Sequence, residues 1–354
     1  MALRESTEPL GAPWAKPLVG ALDTYVVESE ALAGNPLGDP SRRPLYVYRA
    51  PGILTVDDTD APAIYDVPAV FVLQAYGGQL DKWLARQSFE PTFIERLDAI
   101  FASTDTPPAV VVFVDNWTRY GGAQWINSSG TGRYQDYLAD EVVPFIDARY
   151  PTAKIPAKRG VTGHSSGGFG ALRACMERPD VFAGGLVAHA PDALFEVCYQ
   201  PDFPDAARLL RERYDSDVRK LLAAFAAREK FDHDEYGMVL ELLGCQAAYA
   251  PELRLPFELG SGQTIEEIWR AWLAHDPVRM VSSHGEALKR LRHIRLEAGR
   301  HDEANLDLGA QALSAELVAA GVNHQFELFD GGHSGIAYRF APAIGELIRA
   351  LASN

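Results

Sequence analysis

A chain of 354 residues with 47% apolar and 23% charged residues can bury a large core, and it is long enough for one large α/β domain with an insertion or for two domains. Its net charge of −15 argues against nucleic acid or an anionic membrane surface as the main partner, since both demand clustered Lys and Arg. Cys175, Cys198 and Cys245 are far apart and read as reduced core thiols; with no apolar run of signal-peptide or bilayer-spanning length, the expected location is the cytoplasm.

Residues 1–20 hold several Pro and Gly with little periodicity, and an irregular arm lying on the body is expected there. Residues 23–30 and 43–49 mix polar with β-branched and aromatic side chains, as in Leu45-Tyr46-Val47-Tyr48, and read as an antiparallel opening pair. The pattern then changes. Val67-Pro68-Ala69-Val70-Phe71-Val72-Leu73 and Ala109-Val110-Val111-Val112-Phe113-Val114 are nearly continuous apolar runs, which is how strands buried on both faces of a parallel sheet read. The first runs into Gln74-Ala75-Tyr76-Gly77-Gly78, where glycine permits a tight turn beneath a ligand, although an ordinary strand-to-helix turn reads the same way. The second ends in a long loop holding Trp117 and Trp125. Loops at the carboxyl ends of parallel strands bind ligands, so these rings either line an acyl or alcohol pocket, the role expected here, or pin the loop to the body. Residues 134–150 show helical spacing, with Pro144 as an expected kink.

Arg159-Gly160-Val161-Thr162-Gly163-His164-Ser165-Ser166-Gly167-Gly168-Phe169 is a short apolar run ending in Gly-x-Ser-x-Gly and opening directly onto a helix-forming segment. Such a strand-to-helix turn lifts a serine out of the sheet and leaves room only for small flanking residues. Residues 182–189 form the next buried strand, after which the alternation stops. Between 191 and 283 several amphipathic stretches follow one another, and a helical cap over the carboxyl edge of the sheet is expected, with residues 1–190 and 284–354 forming the main domain. The sheet pattern resumes at 291–297, followed by Gly299-Arg300-His301-Asp302-Glu303. A helix with Leu306, Leu313 and Leu317 on its apolar face comes next, ended by Gly321. The last strand, 324–328, leads to Asp330-Gly331-Gly332-His333-Ser334-Gly335, and a helix at 341–351 closes the chain. The alternation of buried strands and helices makes this an α/β chain with a mostly parallel central sheet flanked by helices.

A serine hydroxyl becomes a nucleophile when a base stands within hydrogen-bond reach and a carboxylate fixes the imidazole tautomer. The chain order Ser165, Asp302, His333 suits that arrangement, and of nine histidines only His333 lies on a glycine-flanked loop after the last strand. Glu303 competes with Asp302 for the acid position; the shorter side chain is preferred. The expected oxyanion donors are the backbone N–H groups of Tyr76 and Ser166, and Trp117, Trp125, Gly77 and His164 are the expected substrate contacts. No G-x-G-x-x-G follows a first strand, no G-K-[ST] loop is present and no His, Cys, Asp or Glu group has metal spacing, so no cofactor or metal is implied.

With these residues assembled, the chain resembles the Putative esterase family of the α/β-hydrolase superfamily, which includes esterase D, enterochelin-esterase-like enzymes, feruloyl and acetylxylan esterases and secreted mycolyltransferases. The matching pieces are Leu45-Tyr46-Val47-Tyr48, Gly77-Gly78, Asn127-Ser128 through Tyr137, the Ser165 turn, Gly299 through Glu303 and Gly331-Gly332-His333-Ser334. The chain departs in two places: Gln74-Ala75 stands where many members have His-Gly, and the insertion before residue 291 is longer than in simpler members. The resemblance implies an α/β-hydrolase fold and a serine esterase that acts on a small-molecule ester through acyl-Ser165. Acyl transfer to an alcohol or sugar is the second reading, and a non-catalytic binding module the third.

Overall fold

The computed structural model describes residues 17–55, 65–103, 105–252 and 254–353; except for its last four residues, the expected arm at 1–20 lies outside them. β1 (Ala21–Glu28) pairs antiparallel with β2 (Arg42–Arg49), placing Ala21 opposite Arg49. β3 (Ala69–Leu73) and β4 (Val110–Val114) are buried at every position, as their unbroken apolar runs require. A two-residue hairpin, β5 (Asn127–Ser128) with β6 (Gly132–Arg133), stands apart from the main sheet. β7 (Arg159–His164), β8 (Gly185–His189), β9 (His293–Gly299) and β10 (Gln325–Phe329) complete that sheet. Its order is β1-β2-β4-β3-β7-β8-β9-β10; the β1/β2 and β2/β4 contacts are antiparallel and the rest parallel. From β3 the chain passes to β4 on one side and later to β7 on the other. That reversal opens a crevice at the carboxyl ends of the parallel strands.

Helices cover both faces. α1 (Phe93–Phe101) begins at a capping box: the Thr92 side chain accepts from the Glu95 N–H, and the Glu95 carboxylate accepts from the Thr92 N–H. The single kinked helix expected at 134–150 is divided instead. α2 (Tyr134–Asp136) passes into a wide π turn at Tyr137–Val142, and α3 (Val143–Arg149) follows. Pro144 sits in the first turn of α3, where its missing N–H costs nothing, and the widened turn before it absorbs the clash that its ring would cause. α4 (Ser166–Glu177) follows β7 after a single residue, Ser165.

Between β8 and β9 run α5 (Phe195–Cys198), α6 (Phe203–Tyr214), α7 (Val218–Ala227), α8 (Met238–Tyr249), α9 (Glu266–Leu273) and α10 (Pro277–Leu288). Most of this segment has its own aromatic core, in which Phe203 stacks on Phe257 at 4.9 Å and Tyr249 meets Trp272 at 5.6 Å; Phe169 of α4 ties that core to the body. α10 behaves differently. Met280, Val281 and Leu288 join the main core, and the helix packs on α4 and α11 (Leu306–Ala319) as an ordinary crossover between β8 and β9. The expected boundary at 283/284 therefore falls inside a helix: α10 is amphipathic like its predecessors, and periodicity alone could not reveal which core its apolar face enters. α12 (Ala337–Ala352) closes the chain and starts four residues earlier than expected, with Pro342 inside it.

Candidate active site

The turn between β7 and α4 holds Ser165 at φ 56° and ψ −126°, a conformation that costs a non-glycine residue of order 1–3 kcal/mol and persists only where the surroundings enforce it. Two glycines make it possible. A Cβ on Gly163 would lie 2.3 Å from the Gly167 carbonyl carbon, and one on Gly167 would lie 2.4 Å from the Leu73 oxygen. The Ser165 N–H donates to the His189 carbonyl at 2.9 Å and its own carbonyl accepts from the Phe169 N–H at 2.9 Å, so β8 and α4 clamp the turn from either side.

His333 and Asp302 come from the loops after β10 and β9. These loops lie against each other: the His301 N–H donates to the Gly331 carbonyl at 3.0 Å, and a Cβ on Gly299 would stand 2.4 Å from that same oxygen. The buried Asp302 carboxylate accepts from the His333 Nδ1 at 2.9 Å through Oδ2, while its Oδ1 accepts from the Ala304 N–H at 2.9 Å. Glu303 takes a different part. Its carboxylate accepts from the His333 backbone N–H at 2.7 Å, which holds the loop and pulls the Glu303 carboxyl below its ordinary value. Burial by itself would lower the His333 imidazole, yet the hydrogen bond and charge of Asp302 outweigh it and carry the net value above the ordinary one. The His333 ring also lies over His164, centroid to centroid 4.3 Å; burial holds the His164 imidazole well below its usual range, so it is neutral there.

Ser165, His333, Tyr76 and His164 line one cavity of about 470 Å³. Within it the Ser165 hydroxyl donates to Asp192 Oδ1 at 3.2 Å rather than to His333, and the Asp192 Oδ2 accepts from the Tyr199 hydroxyl at 2.6 Å. Asp192 went unnoticed in the sequence. The available signal was its place, three residues beyond the carboxyl end of β8 and beside the turn, where ligand-facing residues collect.

Of the two expected oxyanion donors, the Tyr76 N–H donates to the Ser166 side-chain Oγ at 2.7 Å, and the Ser166 amide lies in the first turn of α4. Gly77 turns at φ +67°, and its N–H donates to the Gly121 carbonyl at 3.1 Å, so it shapes the loop without lining the cavity. The tryptophans depart from the pocket role expected of them. Trp125 is 2% exposed, packs against Gly170 and donates through Nε1 to the Gln74 carbonyl at 2.9 Å, so it braces the loop at 74–78 from behind. Trp117 sits outside the cavity, beside Arg43, whose guanidinium donates to its carbonyl at 2.7 Å and is ion-paired with Asp115. Gln74, which replaces the common histidine, accepts from Trp83 Nε1 at 2.9 Å and so stiffens the loop in its own way. Among the described residues no group of three or more His, Cys, Asp or Glu could hold a metal ion, and no helix is long and apolar enough to cross a membrane.

The chain matches the family model described as "Putative esterase" over residues 65–346. No curated protein sequence matches it. Among solved structures it is similar to a ferulic acid esterase, with 15% identity, 94% of this chain and 100% of that chain covered and a TM-score of 0.59. It is also similar to the S-formylglutathione hydrolase of Agrobacterium tumefaciens (14% identity, 96% and 98% covered, TM-score 0.55) and to that of Staphylococcus aureus (15%, 94% and 99%, 0.53). At these identities the likeness shows a shared fold, here a mostly parallel sheet flanked by helices.

Proposed function

From the premise that this chain belongs to the Putative esterase family and is an esterase with the α/β-hydrolase fold, we propose that it cleaves carboxylic esters through an acyl intermediate on Ser165, with His333 as base and Asp302 as the carboxylate behind it. The observation that carries this reading is the 2.9 Å bond between His333 Nδ1 and Asp302, in a cavity that also holds the strained Ser165. The bond keeps the Nδ1 proton on the Asp302 side, which leaves Nε2 free to accept. When the Ser165 hydroxyl rotates from Asp192 toward His333, its proton passes to Nε2 while Oγ bonds to the acyl carbon. The resulting oxyanion is received by the Tyr76 and Ser166 amides, and the Tyr76 N–H exchanges its Ser166 hydroxyl partner for that oxygen. Imidazolium then protonates the departing alcohol, and water repeats the sequence to release the acid.

In the same reading, residues 191–276 form a cap that narrows the entrance through Tyr199 and Glu241, and the three unpaired cysteines suit a reducing compartment. The test is covalent labelling with a fluorophosphonate. Wild type should label at Ser165, and Ser165→Ala should not; label retained by that variant would overturn the assignment.

A further inference from the structure

Asp192 is 4% exposed, and among the described residues its two oxygens have two donors, the hydroxyls of Tyr199 and Ser165. Acylation removes one of them. Once Ser165 Oγ carries an acyl group it has no proton to give, and Asp192 Oδ1 is left as a buried acceptor without a partner, which is costly and more so when the group is charged. The oxygen cannot simply turn to solvent, because the Tyr199 hydroxyl holds the other end of the carboxylate at 2.6 Å. A substrate group that relieves it for the whole life of the acyl-enzyme belongs to the acyl part of the ester and not to the departing alcohol.

We propose that Asp192 is a specificity-determining residue, accepting a hydrogen bond from an ammonium or hydroxyl group on the carbon next to the scissile carbonyl. Esters of α-amino or α-hydroxy acids are then the preferred class. A substituent on that carbon is three bonds from Oγ and so roughly 3 Å from it; Asp192 Oδ1 lies 3.2 Å from the same Oγ, so an angle of about 60° between the two directions brings them to hydrogen-bond distance. The surroundings favour the ammonium form. Asp202 lines the same cavity, and among the described residues no Arg or Lys acts on it or on Asp192; Lys82, which also lines the cavity, acts on His164 instead, and the imidazole of His333 is the one cationic group that acts on Asp192. Burial raises the Asp192 carboxyl to about 6, which leaves it mostly ionised, and therefore an acceptor, at neutral pH.

This inference rests on the acyl-Ser165 reading, and the experiment separates the two. The ethyl esters of alanine, lactic acid and isobutyric acid carry NH₃⁺, OH and CH₃ at the same position with nearly the same volume. Their kcat/KM values, each divided by the rate of hydroxide-catalysed hydrolysis of that ester, remove intrinsic reactivity. Wild type should favour the alanine and lactate esters over the isobutyrate by about 10²-fold or more, as sites built around a polar partner do. Asp192→Ala should collapse that ratio to near one. Asp192→Asn, nearly isosteric and so safe for the fold, should abolish the ammonium preference at an unchanged melting temperature. Equal normalised rates in wild type, or a ratio that survives both substitutions, overturn the role of Asp192 and leave the esterase mechanism standing. Absence of Ser165-dependent turnover of all three esters overturns both.

Discussion

Asp302→Asn tests the proposed machinery at its most informative point. The asparagine keeps an oxygen where Asp302 Oδ1 now accepts from the Ala304 N–H at 2.9 Å and the Leu306 N–H at 3.4 Å, so its NH₂ replaces Oδ2 opposite His333 Nδ1. A donor then faces Nδ1, which must become an acceptor, and the ring proton moves to Nε2, the atom that has to take the proton of Ser165. The wrong tautomer costs a serine hydrolase about 10³–10⁴-fold in kcat/KM, or about 4–5.5 kcal/mol of transition-state stabilisation. A second signature comes from titration. In wild type Asp302 outweighs burial and lifts His333 above its ordinary 6.5, so the acid limb of kcat/KM should lie above that pH. Without the carboxylate the largest upward influence on His333 is gone, leaving only the weaker pull of Asp192 and Glu241 against burial, so the limb moves downward and the residual activity extends to lower pH than in wild type. The assay is the pH profile of ester turnover for wild type, Asp302→Asn and Glu303→Gln, with melting temperatures measured in parallel. Glu303→Gln loses only an anchor on the His333 backbone and should stay within about tenfold of wild type, the scale of one hydrogen bond of roughly 1 kcal/mol. If Asp302→Asn kept a tenth or more of wild-type activity with an unmoved limb, and Glu303→Gln lost it instead, the assignment of the acid would be refuted.

Two further outcomes follow from the same geometry. Gly163→Ala sets a methyl 2.3 Å from backbone that cannot yield, so the turn must open; a destabilisation of about 3 kcal/mol or more, with loss of fluorophosphonate labelling, is expected, and a normal melting temperature with normal labelling would contradict it. Burial, together with the like charges of Asp192 and Asp202, raises the Glu241 carboxyl to about 8 from an ordinary 4.5, so the folded chain retains a proton that the unfolded chain releases and stability falls as pH rises across that interval. Glu241→Gln should therefore melt about 2 °C or more above wild type at pH 8–9 and differ less near pH 5; parallel melting curves across that range would refute it.

The Gly-x-Ser-x-Gly turn was legible because its demands are local: an apolar strand before it, a helix after it, and no room for a Cβ at Gly163 or Gly167. The same holds for β3 and β4, whose unbroken apolar runs can only be buried on both faces. His333 was singled out by its glycine-flanked loop. What a side chain touches across the molecule was not written in this local code. Trp125 and Trp117 share a loop and look alike in the sequence, yet one braces the loop that carries Tyr76 and the other lies beside Arg43. Asp302 and Glu303 are neighbours with the same charge; only the approach of the β10 loop gives the imidazole to the first and the backbone N–H to the second.

The order of strands and helices, the bend that carries Ser165 and the loop that carries His333 are thus properties of the chain itself, because period and steric exclusion act between residues close in sequence. Which core α10 joins, which carboxylate meets His333, and the presence of Asp192 beside Ser165 were decided only when segments tens to more than a hundred residues apart came into contact. Such contacts follow from how whole layers pack, and a hydrogen bond of 3 Å depends on that packing to within a fraction of its own length.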